Sequence, residues 1–131
     1  MNKRMLLATI AVFITWSIID FIVHGILLQP TYEATANLWR PENEIKFGFA
    51  YAITFASNLF FVCTYTCMVS EKSLHTGLKF GVSFGLAAGI LLGLGSYPYM
   101  PIPLMLAISW FATTLVQFIA AGAIAGAIVK S

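Results

Sequence analysis

The sequence predicts an all-α, polytopic integral membrane protein, with four transmembrane helices in an up-down bundle. Three observations lead there. Of 131 residues, 60% are hydrophobic and only 9% are charged, too few charges to cover a soluble domain of this size. Four apolar runs each reach the roughly 20 residues that a helical span needs. The connections between them are short, which leaves a single domain over residues 1–131 and places any function in the bundle or its loops.

The first span runs from about residue 5 to 28, behind Lys3 and Arg4. A basic start before an apolar run also describes a secretory signal, but this run is too long, and Ala34-Thr35-Ala36 lies too far beyond it to be the cleavage site. Residues 29–40 form the first outer loop. There Tyr32, Thr35, Leu38 and Trp39 fall at helical spacing and predict a short amphipathic segment in the interface. Pro41 suits the first position of a helix, and Glu42 and Glu44 in the first turn complement the helix dipole, so the second span is expected over 41–69.

A polar turn from Ser70 to Thr76 leads into a third span over 77–97. Pro98, Pro101 and Pro103 stiffen the next connection, and the fourth span covers 103–129. Lys3, Arg4, Lys72, Lys79 and Lys130 fall on one side, with Arg40 and Lys46 on the other. The positive-inside rule then puts both termini in the cytoplasm.

Gly77, Gly81, Gly85, Gly89 and Gly93 recur every four residues along the third span, and Gly122 and Gly126 repeat the spacing on the fourth. Glycine weakens a soluble helix, but in lipid a ridge without side chains lets backbones approach closely. The pattern reads as a glycine zipper used for helix packing. A step of four overshoots the helical repeat by about 40°. The expectation is therefore that Gly77 and its neighbours contact one helix while Gly93 and its neighbours contact another.

Asp20 is the sole acid within a span, and an ionisable group at that depth is by default a functional candidate. His24 follows one turn later on the same face. Counting inward from Leu28 places Asp20 about 12 Å and His24 about 6 Å below the outer end. Tyr51 and Tyr97 match that height, as does Trp110, while Asn58 and Gln117 lie deeper. These seven residues make up the predicted ligand- or proton-binding set, suited to a proton, a cation or a small polar ligand. The bland alternative is an Asp–His pair that fixes helix register, with amides bonding across helices.

Other candidates weigh less. Cys63 and Cys67 supply ligand types that zinc or copper accepts, but they lie some 20 Å from His24 in depth, so no metal site is predicted. His75 belongs to the cytoplasmic turn. Trp39 and Arg40 suit an interfacial lipid phosphate or anion, or a local ion pair with Glu33, Glu42 or Glu44. No nucleophile elbow, phosphate-binding loop or HExxH motif occurs, and nothing specifies a cofactor. The net charge of +2, spread over both sides, argues against nucleic acid as a partner.

The run from Asp20 through His24, Gln29 and Pro30 to Tyr32, followed by Leu38-Trp39-Arg40-Pro41, resembles uncharacterised small four-span bacterial membrane proteins. The resemblance covers the whole chain. It implies a bacterial inner-membrane setting and no activity. The size and the single acid in the first span are also similar to small multidrug transporters. Those carry a glutamate there and a different aromatic pattern, so neither substrate nor mechanism is carried over.

Three functions follow as expectations. The first is ligand binding or transport around Asp20 and His24. The second is an accessory subunit whose glycine surfaces pack on a larger membrane complex. The third is a membrane enzyme acting on a lipid or quinone. The lipid bilayer is the expected surrounding, and the glycine surfaces suit a homo-oligomer as well as a larger assembly.

Overall fold

The computed structural model of the protein describes residues 2–130, and they are helical without a strand among them. Helix α1 (Lys3–Ile22) is capped by Asn2, whose side chain accepts the Met5 N–H at 2.8 Å. It runs on into a π turn, Val23–Leu27, closed by the i→i+5 bond from Leu28 N to Val23 O at 2.8 Å. The chain then folds back through α2 (Gln29–Ala34) and a 3₁₀ turn at Ala36–Leu38. Helices α3 (Phe47–Met68), α4 (Leu74–Ala88) and α5 (Leu104–Ile128) complete the bundle. A second π turn, Gly89–Gly93, and a 3₁₀ turn, Leu94–Ser96, extend α4. Four helices, Lys3–Leu27, Phe47–Met68, Leu74–Ser96 and Leu104–Ile128, are long and apolar enough to cross a membrane, as in a multi-pass membrane protein.

Two helix starts differ from expectation. The second span does not begin at Pro41. That proline caps a 3₁₀ turn, Glu42–Glu44, after which Ile45 is extended (φ −67°, ψ 130°) and the helix starts at Phe47. Proline's fixed φ starts a turn as readily as a helix, and three polar residues in a row keep the turn outside the apolar run. The third span starts earlier, at Leu74, because Ser73 and Thr76 form a reciprocal capping box that satisfies two helix-end donors.

Helix α5 is the hub: it packs most extensively on α4, then on α1, and also touches α3. Every glycine in the α4 series meets it. Gly77 faces Gly122 and Gly126, Gly81 faces Phe118 and Ile119, Gly85 faces Leu115 and Phe118, and Gly89 and Gly93 both face Phe111. The expected division of this ridge between two neighbours is therefore wrong: all five glycines meet α5. Two effects keep the ridge in phase. Rows of residues four apart incline by about 26° to the helix axis, so a crossing helix follows them. The π turn at Gly89–Gly93 adds a residue to its turn and slows the angular drift where it would be largest.

Opposite that seam, Ala8, Val12 and Trp16 of α1 pack with Phe61, Val62 and Tyr65 of α3 and with Ala121 and Ala125 of α5. Phe61 reaches Phe80, Phe84 and Phe118 at centroid distances of 5.1–5.5 Å, so α3 meets α4 through rings. A second, smaller core joins Ile102, Leu106 and Ala107 to Leu28, Tyr32, Leu38, Trp39 and Trp110. It holds the α2 segment down over the start of α5. Large apolar side chains such as Ile14, Phe21, Phe60, Leu91 and Met105 point outward, as a lipid-facing surface requires.

Candidate functional site

The two π turns lie at the same end of the bundle and border one cleft. His24 comes from the first, Leu92 and Gly93 from the second, and Trp110, Thr113, Thr114 and Gln117 from the facing side of α5. Tyr32 and Trp39 close it from the α2 segment, and Ser96 lines its rim. The cleft is open to the surface and has a volume of about 400 Å³. That volume falls within the range of small-molecule sites, about 300–1,000 Å³.

A chain of polar contacts runs along one wall. The indole N–H of Trp16 donates to the Gln117 carbonyl at 2.7 Å, which sets α1 against α5. The Gln117 side-chain amide donates to Asp20 Oδ1 at 2.7 Å and, more weakly, to the Trp16 carbonyl at 3.5 Å. Asp20 Oδ1 lies 3.8 Å from His24 Nε2, an electrostatic contact longer than a hydrogen bond. His24 Nδ1 is 2.6 Å from the Tyr32 hydroxyl, which also accepts the Trp110 indole N–H at 2.8 Å.

Hydrogen-bond inventory assigns the protons along this wall. Trp110 can only donate, so Tyr32 oxygen accepts there and has its own proton to give. Neutral His24 with its proton on Nε2 directs that N–H at Asp20 and leaves Nδ1 to accept from Tyr32. In that tautomer the order is Trp110 N–H to Tyr32 O–H to His24 Nδ1, then Nε2–H toward the Asp20 carboxylate. Burial pushes the Tyr32 hydroxyl above the ordinary tyrosine value; the Trp110 N–H opposes this and the Asp20 charge adds to it. Tyr32 thus remains a donor throughout the neutral range.

Of the seven residues expected to converge, Asp20, His24, Trp110 and Gln117 come together. Tyr51 does not: it is exposed on α3 and meets Phe13 edge-on at 6.2 Å. Tyr97 is likewise exposed beyond the helix end, and it is Ser96 that faces the cleft. Asn58 is fully buried elsewhere in the bundle, its Oδ1 and Nδ2 both without a protein partner. Trp39 lines the cleft, with its indole N–H donated to Thr35 Oγ1 at 2.9 Å. Arg40 is exposed and forms no ion pair with Glu33, Glu42 or Glu44.

The residue that sequence reasoning missed is Tyr32. Its helical spacing with Leu38 and Trp39 was visible, but that spacing says nothing of the fold-back that drops its hydroxyl between His24 and Trp110. Cys63 and Cys67 are free thiols, and no group of three His, Cys, Asp or Glu side chains able to hold a metal occurs among the described residues. Comparison with protein families, curated proteins and solved structures gives no match.

Proposed function

We propose that this protein is a small membrane-embedded receptor or carrier for a small polar or amphipathic ligand, bound in the cleft under control of the Asp20–His24 pair. The observation behind it is the continuous contact chain from Gln117 through Asp20, His24 and Tyr32 to Trp110 along a cleft of ligand size. A structural Asp–His staple alone has no need of a cleft walled by three further aromatic and hydroxyl-bearing segments.

The chain supplies a proton-sensitive element. Protonating His24 turns both ring nitrogens into donors, so Nδ1 no longer accepts from Tyr32. The Tyr32 proton must then turn away, and the Asp20 charge is neutralised within its pair. The groups facing His24 that titrate or carry charge are Asp20 from α1 and Tyr32 from α2; α4 and α5 present none across the cleft. Protonation therefore changes both the charge and the hydrogen-bonding sense of one wall.

In this reading the four spans form an up-down bundle in a bacterial inner membrane. Both termini are cytoplasmic, following the lysine and arginine distribution, and the cleft opens toward the outer side. The α4–α5 glycine zipper serves as the internal seam. Its seven glycines all lie between α4, with its extension, and α5, which favours a self-contained unit over an accessory subunit that needs those surfaces for a partner.

The test is a panel of small cations, anions and neutral polar compounds titrated against the protein in lipid nanodiscs between pH 5.5 and 8, read by tryptophan fluorescence. At least one class saturates the wild type, with an affinity that depends on pH, and Asp20→Asn removes that dependence. A panel with no saturable binder, or an Asp20→Asn variant with unchanged affinity and pH profile, rejects the proposal.

A further inference from the structure

The donor and acceptor inventory of the cleft points to its ligand class. Nearly every N–H and O–H on the lining is already spent inside the protein. Trp39 gives its indole proton to Thr35, and Trp110 gives its own to Tyr32. Thr113 and Ser96 donate back to the carbonyls of Ser109 and Leu92. Both amide hydrogens of Gln117 go to Asp20 and to the Trp16 carbonyl. The Thr114 hydroxyl is left over, together with the His24 Nε2–H, which points at Asp20 from beyond hydrogen-bond distance.

What remains for a ligand is one-sided. Gln117 Oε1 accepts no bond, and the hydroxyls that point their protons at the backbone keep lone pairs. The aromatic groups, their polar edges satisfied, have only ring faces and rims to offer. Tyr32 and Trp39 stand perpendicular at 5.7 Å between centroids, and Trp39 and Trp110 stand at 65° and 6.0 Å. The two steeply inclined pairs set three aromatic rings side by side along the cleft, where a cation can meet more than one π surface. No lysine or arginine lines the cleft, and His24, the lining group that can gain a positive charge, has the Asp20 carboxylate beside it.

We infer that the cleft binds an organic ammonium ion, with the cationic head against the Tyr32, Trp39 and Trp110 rings and its N–H or N–CH groups toward Gln117 Oε1 and the threonine hydroxyls. A metal ion fits worse, because a hard cation needs about six or more oxygen ligands and the lining offers few. An anion meets lone pairs and a nearby carboxylate. This inference rests on the cleft being a ligand site at all and adds the sign and type of charge that it takes.

The experiment uses the full chain in nanodiscs and three probes of matched shape: benzyltrimethylammonium, its neutral carbon isostere neopentylbenzene, and benzylsulfonate. The cation is expected to bind about tenfold more tightly than the neutral isostere, with the sulfonate weakest. Trp39→Leu lowers cation affinity by about tenfold, whereas Trp39→Phe, which keeps a ring, retains most of it. Affinity for neopentylbenzene changes little in either variant, which also shows that the cleft has stayed intact. Equal affinity for cation and isostere overturns the ammonium assignment while leaving a ligand cleft. Preference for the sulfonate overturns it too. Failure of all three probes to saturate rejects the assignment, and the broader panel with Asp20→Asn separately decides the ligand-site reading.

Discussion

The side-chain amide of Gln117 lies 2.7 Å from Asp20 Oδ1, joining residues 97 positions apart on α5 and α1. This contact lets a carboxylate sit inside a span without a cationic side chain bonded to it. The same Gln117 receives the Trp16 indole on its backbone carbonyl at 2.7 Å, so one turn of α5 both fixes α1 and solvates its acid. The same Oδ1 lies 3.8 Å from His24 Nε2, and Asp20 remains partly exposed. The site is therefore an acid held by an amide, next to a histidine whose protonation it can answer.

Replacing Gln117 with leucine is expected to destabilise the protein by about 1–2 kcal/mol, since the carboxylate loses its donor while packing volume is nearly kept. Thermal unfolding in detergent measures this. The Trp16 bond uses the backbone carbonyl and survives the substitution, so helical content by circular dichroism stays at the wild-type level. Stability equal to wild type would mean that the amide does not hold Asp20.

Tyr32→Phe removes the atom that links His24 to Trp110 but leaves the ring in its small core with Ile102 and Leu106. A double-mutant cycle with Trp110→Phe should return a coupling of about 0.5–1 kcal/mol, because each single change already breaks their shared 2.8 Å bond. Additive effects would show that the hydroxyl and the indole act separately.

Asp20, His24, Trp110 and Gln117 were legible in the sequence because a polar group within an apolar run stands out from its background. Residue counting also set Trp110 level with His24, and the two line one cleft. Counting gave no rotation, and for that reason Tyr51, at a matching height, turned out to face away beside Phe13. Tyr32 escaped for a different reason. Loop residues carry no depth signal, and its position depends on the π turn at Val23–Leu27 and on contacts with α5 that no local pattern encodes. The glycine series was legible as a packing surface, but its single partner depended on a helix crossing and on a local change of pitch.

The Tyr32 hydroxyl provides an alkaline test. Burial raises its pKa above the ordinary value of 10, so the neutral form is favoured in the folded protein. Its contribution to stability is complete below pH 10 and is lost as pH rises through the folded-state value. An ultraviolet difference titration of wild type against Tyr32→Phe should show this tyrosine ionising above pH 10. Ionisation at or below pH 10 would contradict the enclosed donor described here.

Asn58 makes the opposite case to Gln117. Its side chain is fully buried on α3, and neither amide atom meets a protein partner. An unsatisfied buried amide is costly, and an apolar residue of similar volume removes that cost. Asn58→Leu should therefore raise thermal stability, by about 1 kcal/mol or more, with the Asp20-dependent binding unchanged. A lower melting temperature would assign Asn58 a bonding role.

The glycine seam predicts a graded series. A Cβ at Gly81 would overlap the Phe118 carbonyl oxygen and press on Ile119 Cα at 3.1 Å, both backbone or backbone-attached atoms that cannot swing aside. The same holds at Gly122 against the Gly77 carbonyl and Gly81. At Gly85 the nearest atom, Leu115 Cδ1 at 3.0 Å, ends a flexible side chain, although Phe118 Cβ and Leu115 Cα follow at 3.1 and 3.2 Å. Gly48 has nothing within 4 Å. Alanine at Gly81 or Gly122 should cost about 1–3 kcal/mol by forcing α4 and α5 apart, alanine at Gly85 less, and alanine at Gly48 nothing. Because Gly93 lines the cleft and packs on Phe111, next to Trp110, separation at Gly93 should also weaken ligand binding, whereas Gly81→Ala acts first on stability. Melting temperatures and probe affinities measured on the same four variants and on Gly93→Ala separate the two effects. Equal melting temperatures at Gly48 and Gly81 would mean that the seam does not hold the bundle together.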